Sequence, residues 1–180
     1  MIWPDKIIDS SSVVSNNVIW CTKYKSSIFE DGKVIGRTNI ELSVEMTVKL
    51  AESFGSILPT KSKVYLSRDY HKSSRMLNRA FLSGLLATGI DIVDLLNAPS
   101  NVTRHCLAQD NDISAAIHFR QSVKDPTLTE IIFYTSEGLV IDSKLAKSIE
   151  RIFFRENFRK VYFNEIGEIF EDSRAKERYM

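Results

Sequence analysis

The sequence predicts an α/β fold, a three-layer α/β/α domain with helices on both faces of a mostly parallel sheet. Helical and strand-like segments alternate from residue 43 to about residue 154, a pattern typical of parallel sheets. The chain has 180 residues, of which 43% are hydrophobic and 26% are charged. A chain of this length and composition can bury a core without disulfides.

The first helix is predicted to begin after Ser43, whose hydroxyl can cap it, and to end at Pro59. Residues 25–41, which contain Gly32 and Gly36, are predicted to form a loop before this helix. Four apolar residues recur at helical spacing and mark its buried side: Leu50, Ala51, Phe54 and Leu58.

A short buried strand, 64–66, precedes the second predicted helix, and another strand, 90–95, follows it. Ser73 or Ser74 is predicted to cap this helix, and Gly89 is predicted to end it. Its inner side carries apolar and small residues at helical spacing: Leu77, Phe81, Gly84 and Leu85.

The alternation continues with a short helix after Pro99 and with strands 113–119 and 131–134. An antiparallel pairing of these last two strands is left open. Gly138 marks a turn, and Asp142 is predicted to cap a final helix. The inner side of that helix consists of Leu145, Ile149, Ile152 and Phe153.

The two ends of the chain differ from this central domain, which is predicted to span residues 25–158. In residues 1–24 the apolar residues recur every six positions, at Ile2, Ile8, Val14 and Trp20. This period is typical of a parallel β-helix, and an irregular strand-rich arm is the alternative interpretation. Residues 159–180 are predicted to be a linker and the start of a following helix. We therefore expect the chain to be part of a longer protein.

Composition excludes several classes of function. The net charge is +1, from 24 basic and 23 acidic residues, so no one-sided basic field indicates a nucleic-acid partner. No apolar run approaches the roughly 18 residues that a membrane span requires. The two cysteines, Cys21 and Cys106, are typical of a reducing compartment. We expect a cytoplasmic protein without a membrane or nucleic-acid partner.

Arg120, Ser122 and Lys124 follow directly after the predicted strand 113–119. In extended chain alternate side chains share one face, so these three would project together. A hydroxyl between two cations suits a phosphoryl group, which carries nearly two negative charges. The alternative interpretation is a solvated polar loop at the end of a strand.

Arg68, His71 and Lys72 also follow a predicted strand and open a helix. The free N–H groups at the N-terminus of a helix bind anions, and these side chains add positive charge. The alternative is a capped helix in which Arg68 interacts internally with Asp69.

The three histidines, His71, His105 and His118, lack the spacing of metal ligands, so we expect no protein-bound zinc. His118 lies on a predicted strand and is expected to be a hydrogen-bonded residue of the core or of the sheet edge.

The run from Val64 to Ser74 resembles a motif of the first domain of the α-D-phosphohexomutases, the family of phosphomannomutase and phosphoglucomutase. That family carries V-x-x-G-R-D-x-R-x-S-S at this place, so Ser67 replaces a glycine and His71 replaces an arginine. The resemblance extends over a later helix, turn and loop, with matches at Gly84, Leu85, Gly89 and Pro99.

The family's phosphoserine loop, T-A-S-H-N-P, aligns with residues 120–125, and Ser122 then falls on the phosphorylated serine. Other residue types occupy six family positions around it: Ile35, Val123, Lys124, Thr129, Glu130 and Ile132. The resemblance therefore implies a phosphoserine loop that is degenerate.

The resemblance also implies roles in phosphoryl transfer on a hexose phosphate. Ser122 would be the catalytic phosphoryl carrier, and Mg²⁺ would bind only through its phosphate, in the full-length protein. The implied phosphate-binding residues are Arg120, Lys124, Arg68, His71 and Lys72. For this chain alone we expect no cofactor and no mutase turnover, because the family's acidic D-x-D-x-D-R metal loop does not occur in it.

One subgroup of the family is fused to the C-terminal side of a mannose-1-phosphate guanylyltransferase-like sugar nucleotidyltransferase, which contains a β-helix. The chain is similar to it in Ser67–His71, in Ser122 with Asp125-Pro126, and in Ile152–Phe158. The implied partners are a hexose phosphate, the remainder of a longer chain and, as an open alternative, further copies of itself. A phosphosugar-binding or regulatory module and a structural or oligomerisation domain are the alternative functions.

Overall fold

The computed structural model describes residues 27–179, so the predicted β-helix-like segment 1–24 lies outside the described residues. The strands, in chain order, are β1 Phe29–Glu30, β2 Lys33–Arg37, β3 Lys63–Arg68, β4 Asp91–Asp94, β5 Ile113–Gln121, β6 Leu128–Thr135 and β7 Ile169–Glu171. The helices are α1 Val44–Ile57, α2 Lys72–Ala87, α3 Ser100–Gln109, α4 Ser143–Arg155 and α5 Ala175–Tyr179. A 3₁₀ turn, Phe163–Glu165, precedes β7.

The seven strands form one sheet in the order β1-β2-β6-β5-β3-β4-β7. Four strands, β5, β3, β4 and β7, are joined by three parallel pairings. The β5–β6 and β6–β2 pairings are antiparallel, so β2 runs in the same direction as β5. Five of the seven strands therefore share one direction, and the predicted α/β fold with a mostly parallel sheet is confirmed.

Helices cover both faces of the sheet, which gives the predicted three layers. Helices α1, α2 and α4 pack on one face, and α3 and α5 pack on the other. Side chains of β6 alternate between the two cores, with Ile131 and Phe133 on the first face and Ile132 and Tyr134 on the second. Phe133 makes edge-to-face contacts with three rings of the first core, those of Phe29, Phe54 and Phe81.

The structure contains the predicted capping hydrogen bonds of two helices, α1 and α4. The Ser43 hydroxyl accepts a hydrogen bond from the Met46 N–H at 3.0 Å. The Asp142 carboxylate accepts one from the Leu145 N–H at 2.8 Å. Each bond satisfies an N–H that lacks a partner inside its helix. The predicted turns at Gly89 and Gly138 both have positive φ.

The predicted loop 25–41 is wrong, because this segment contains the hairpin of β1 and β2. Asp31 and Gly32 connect the two strands, and both have positive φ, at 49° and 71°. A two-residue turn of this kind matches the twist of paired strands. The flanking strands are too short to show a clear period in sequence, and β2 is held by β6, far away along the chain.

The predicted serine cap of α2 is also wrong. The helix begins at Lys72 with His71 as its N-cap residue, and no side chain caps it. Ser73 and Ser74 lie inside the first turn. The carboxylate of Asp69 instead accepts a hydrogen bond from the His71 N–H at 3.0 Å. This bond fixes the backbone turn directly before the helix.

Residues 159–180, predicted to be a linker and the start of a helix, contribute strand β7 to the sheet. At the beginning of this segment, Arg159 binds the C-terminal ends of helices α1 and α2. Its guanidinium donates hydrogen bonds to the carbonyls of Gly55, Leu58 and Thr88, which include C-terminal carbonyls of α1. Its backbone N–H donates to the Ser56 hydroxyl at 2.8 Å. Burial lowers the pKa of Arg159 from its ordinary value.

We expect Arg159→Ala to lower the free energy of unfolding by about 2–4 kcal/mol, because it leaves several helix-end carbonyls without charged donors. The measurement is urea denaturation followed by circular dichroism. Arg155→Ala is the matched control on an exposed arginine and should change stability by less than about 0.5 kcal/mol. Equal effects of the two substitutions would contradict this role of Arg159.

Candidate functional site

The residues predicted to act on phosphate lie at the carboxyl ends of β3 and β5, which are neighbours in the sheet. Helix α2 leaves β3 on one face, and α3 reaches β5 on the opposite face. The strand order therefore reverses between β3 and β5, and such a switch point is where open α/β sheets bind ligands. The structure thus brings the two predicted loops together at one place.

Asp69 joins these two loops. One of its carboxylate oxygens accepts a hydrogen bond from the His71 N–H at 3.0 Å, and the other accepts one from the Gln121 N–H at 2.6 Å. Its own N–H donates to the Phe119 carbonyl at 2.9 Å. This link takes the place of the Arg68–Asp69 interaction of the alternative interpretation, and it fixes the start of α2 relative to the serine loop.

Ser122 is only 8% exposed, and its hydroxyl donates a hydrogen bond to the Glu130 carboxylate at 2.7 Å. The other oxygen of Glu130 accepts hydrogen bonds from Arg120, at 2.8 Å from Nε and 2.7 Å from Nη2. Burial acts to raise the pKa of Glu130, but Ser122 and Arg120 outweigh it and hold that pKa below its ordinary value. Serine and arginine are therefore brought together by a carboxylate that lies between them.

The side chain of Arg68 also forms an ion pair with a carboxylate, that of Asp94. Its Nη1 contacts the two carboxylate oxygens of Asp94 at 3.2 and 3.3 Å. The side chains of this ion pair are 12% and 11% exposed. Asp94 also accepts a hydrogen bond from the Leu96 N–H at 2.8 Å, so the pair holds the loop that leads to α3.

The remaining predicted phosphate-binding residues, Lys124, His71 and Lys72, are exposed. Within residues 27–179 none of these three side chains takes part in an ion pair. Lys124 follows the buried Ser122 by two residues, whereas Lys72 lines a groove between α1 and α2. The structure therefore divides the predicted phosphate-binding residues into two that are paired with carboxylates and three that face solvent.

Sequence reasoning missed a chain of hydroxyl groups beside the serine loop. The Thr38 and Thr129 hydroxyls lie 2.8 Å apart, and Thr129 donates a hydrogen bond to the Ser73 hydroxyl at 3.2 Å. Thr129 stands next to Glu130 on β6 and is buried. These contacts join α2, β6 and Thr38, the residue that directly follows β2. Thr38 belongs to the segment 25–41 that the sequence predicts as a loop, so it gave no signal.

The described residues contain no group of three or more His, Cys, Asp or Glu side chains that could hold a metal ion. The donor set at the loop consists of the Ser122 hydroxyl and the Glu130 carboxylate, which already bind each other, and the Asp125 carboxylate, which already binds Thr127. It does not fit a Mg²⁺ site built by this part of the chain alone.

Within residues 27–179 no helix has the length and apolar character needed to cross a membrane.

A family model, described as phosphoglucomutase/phosphomannomutase, alpha/beta/alpha domain I, matches residues 26–160. The chain belongs to this family. The match covers the sheet from β1 to β6 and helices α1 to α4, and therefore includes every residue predicted to bind phosphate.

Two curated relatives of this domain I show the same relationship over most of the chain. A phosphoglucomutase/phosphomannomutase of Thermococcus kodakarensis is 31% identical over 144 residues, which cover 76% of this chain and 30% of the relative. A phosphoglucosamine mutase of Methanocaldococcus jannaschii is 29% identical over 150 residues, covering 83% and 33%. The chain thus spans about a third of the length of the curated relatives it matches.

A solved structure supports the fold of domain I. A phosphoglucomutase/phosphomannomutase family protein from Burkholderia thailandensis superposes with a TM-score of 0.71 at 18% sequence identity. The superposition covers 84% of this chain and 34% of that protein. At this identity the likeness concerns the architecture of the chain.

A second buried polar cluster of domain I joins β3, β5 and α3. Ser67 is fully buried, and its hydroxyl lies 2.9 Å from Nδ1 of His118. Thr103 of α3 donates a hydrogen bond to the Ser67 hydroxyl at 2.8 Å. Burial, with a smaller effect from the Arg120 charge, lowers the pKa of His118 to about 4, although Asp69 opposes the shift. His118 is therefore a hydrogen-bonded core histidine, as predicted.

We expect domain stability to fall as pH is lowered from about 7 to about 5. His118 has a pKa of 6.5 when unfolded and about 4 when folded, so the unfolded chain binds more protons between these values. Over this window His118 should remove about 2 kcal/mol of the free energy of unfolding. Urea denaturation at several pH values gives the slope.

His118→Gln should flatten that slope, whereas His105→Gln, a histidine of α3 outside the cluster, should leave it as in the wild type. A His118→Gln variant with an unchanged pH slope would show that other groups cause the effect.

Proposed function

We propose that this chain is domain I of a phosphohexomutase-like protein of sugar-phosphate and nucleotide-sugar metabolism, with a degenerate serine loop. Alone it has no mutase activity. The observation that supports this proposal is the hydrogen bond from Ser122 to the buried carboxylate of Glu130, at 2.7 Å. This contact engages the hydroxyl that the family phosphorylates.

A phosphate on Ser122 would place close to two negative charges beside the Glu130 carboxylate. Ser122 and Glu130 are 8% and 5% exposed, so little water would screen the repulsion. Arg120 could neutralise only part of this charge, because its guanidinium already binds Glu130 at 2.7 Å. The geometry therefore favours a serine that stays unphosphorylated.

The catalytic alternative, in a longer protein, assigns these residues the roles that the family resemblance implies. Ser122 is the candidate phosphoryl carrier, Arg120 and Lys124 are its electrostatic supports, and Mg²⁺ would be held only through a phosphate on that serine. The metal would stabilise charge on the transferring phosphoryl group. The further candidate phosphate contacts are Arg68, His71 and Lys72.

A non-catalytic role is the second candidate function: a phosphosugar-binding, regulatory or oligomerisation domain attached to a sugar nucleotidyltransferase in the cytoplasm. The exposed basic residues Lys124 and Lys72, with His71 beside them, support anion binding without chemistry. The six-residue apolar period of residues 2–20 supports attachment to a β-helix. A hexose phosphate is the ligand that this role shares with the catalytic one.

We expect the purified chain to convert neither glucose 1-phosphate, mannose 1-phosphate nor glucosamine 1-phosphate to the 6-phosphate. Phosphoryl transfer depends on aligned charges, and the loss of one oriented donor costs about 10²–10³ in rate. The test is a coupled assay with Mg²⁺ and a hexose 1,6-bisphosphate, with intact mass measured in parallel. A turnover that disappears in Ser122→Ala would overturn the proposal, as would a phosphate that the wild type gains and Ser122→Ala does not.

We expect Ser122→Asp to lower the free energy of unfolding by about 3 kcal/mol more than Ser122→Ala, because it buries a second carboxylate beside Glu130. Adding Glu130→Gln should recover more than half of that difference, because it removes the like charge. Urea denaturation of the four combinations measures the coupling.

The same Glu130→Gln change in the Ser122→Ala background is the matched control and should give no recovery. A Ser122→Asp variant as stable as Ser122→Ala would show that the loop accommodates a second negative charge. Repulsion from Glu130 would then not keep Ser122 unphosphorylated.

A further inference from the structure

A basic groove runs along the solvent side of α2, next to the beginning of α1. Its volume is about 410 Å³. Three cations line it at successive turns of the helix, Lys72, Arg75 and Arg79. Its apolar lining consists of Val44, Met76 and Ala80. Of these residues only Lys72 has a part in the proposed function, so the groove as a whole has no assigned role.

The three cations of this α2 groove have no carboxylate partner among residues 27–179. The acidic residue in the first turn of α1, Glu45, pairs with Lys49 at 3.3 Å. An open groove with three uncompensated positive charges attracts a negatively charged occupant.

The shape of the groove favours a linear occupant. Lys72 and Arg79 are seven residues apart, about 10 Å along the helix axis. Val44 beside them is 45% exposed and gives the groove an apolar lining. A compact sugar phosphate would leave both the spacing and the apolar lining unused, whereas a polypeptide segment with acidic and apolar side chains would use both.

Such a segment occurs in this chain, at residues 165–171. Its acidic residues Glu165, Glu168 and Glu171 are exposed. Between them Ile166, Ile169 and Phe170 are 52%, 46% and 45% exposed. Clustered apolar exposure of this kind marks an interaction surface. The segment includes β7, which is the last strand of the sheet on its side.

The groove and the segment lie on the same side of the molecule. Ile169 pairs with Ile92, whose side chain belongs to the core beneath α2. Alternation along the strand then places Ile169 and Glu171 on the α2 side of the sheet. Two copies related by a two-fold axis could therefore make the contact reciprocally, each one offering its groove and its segment.

We propose that this chain forms a homodimer in which segment 165–171 of each copy binds in the α2 groove of the other. Glu171 meets the cations of the groove, and Ile169 contacts its apolar lining. Glu168, which is exposed one residue before β7, adds negative charge at the same edge of the sheet. The charges set the orientation of the two copies, and the apolar contacts exclude water between them.

The test is a charge exchange in the full 180-residue chain, with association measured by sedimentation velocity over a range of concentrations. The groove variant is Arg75→Glu with Arg79→Glu, and the segment variant is Glu168→Lys with Glu171→Lys. We expect the wild type to dimerise and each variant alone to associate about tenfold more weakly or worse, because like charges then meet.

An equal mixture of the two variants should regain association, because each acidic groove then meets a basic segment and each basic groove an acidic one. A fold damaged by substitution could not be rescued in this way, so the mixture separates loss of contact from loss of folding. High salt should weaken the wild-type dimer, because a Debye length of about 3 Å at 1 M screens the charges.

Lys147→Glu with Arg151→Glu is the matched control. It makes the same change of net charge on α4, which packs against α1 away from the groove, and it should leave association unchanged. A wild type that stays monomeric up to about 1 mM, or a mixture that associates no better than either variant, would overturn the proposal. Inorganic phosphate bound in the groove of a monomeric chain would do so as well.

Discussion

The buried carboxylate of Glu130 is the group around which the serine loop is arranged. It is 5% exposed and lies on the strand next to β5. An isolated charge at such a place would be very unfavourable, so it must be neutralised and hydrogen-bonded. Arg120 lies directly opposite Glu130 in the register of β5 and β6, and Ser122 reaches the second oxygen. The donors that a phosphate would need at this loop thus already serve a carboxylate.

Local signals predicted the helices well and the edge strands poorly. The starts of α1 and α4 were found because a cap residue and an apolar period occur within a few neighbouring positions. Strand β2 has five residues, and its pairing partner is β6, as in Lys33 opposite Ile132. Strand β7 has three exposed residues and exists because β4 offers it a free edge. These two strands form because a partner strand is available for pairing, so their own residues do not predict them.

The position of the site could be predicted, but its internal pairing could not. Arg68, Arg120 and Ser122 were placed at the carboxyl ends of strands because the alternation of helix and strand fixes those ends. The partner of Arg68, Asp94, lies 26 residues away at the end of another strand. The partner of Arg120 depends on the antiparallel register of β5 and β6, which the sequence left open. Ion pairs across strands require the register before they can be inferred.

The polar groups at this end of the sheet bind one another, and under the proposed function this explains how the fold persists without mutase chemistry. A site built for a charged ligand holds donors that remain incompletely paired until the ligand arrives. Here the Ser67 hydroxyl binds His118 and Thr103, and Thr129 binds Ser73. Each of these contacts joins two elements of the fold. Under the proposed function, interactions that a ligand would supply in a mutase are replaced here by contacts between elements of the fold, so the architecture does not depend on a bound phosphate.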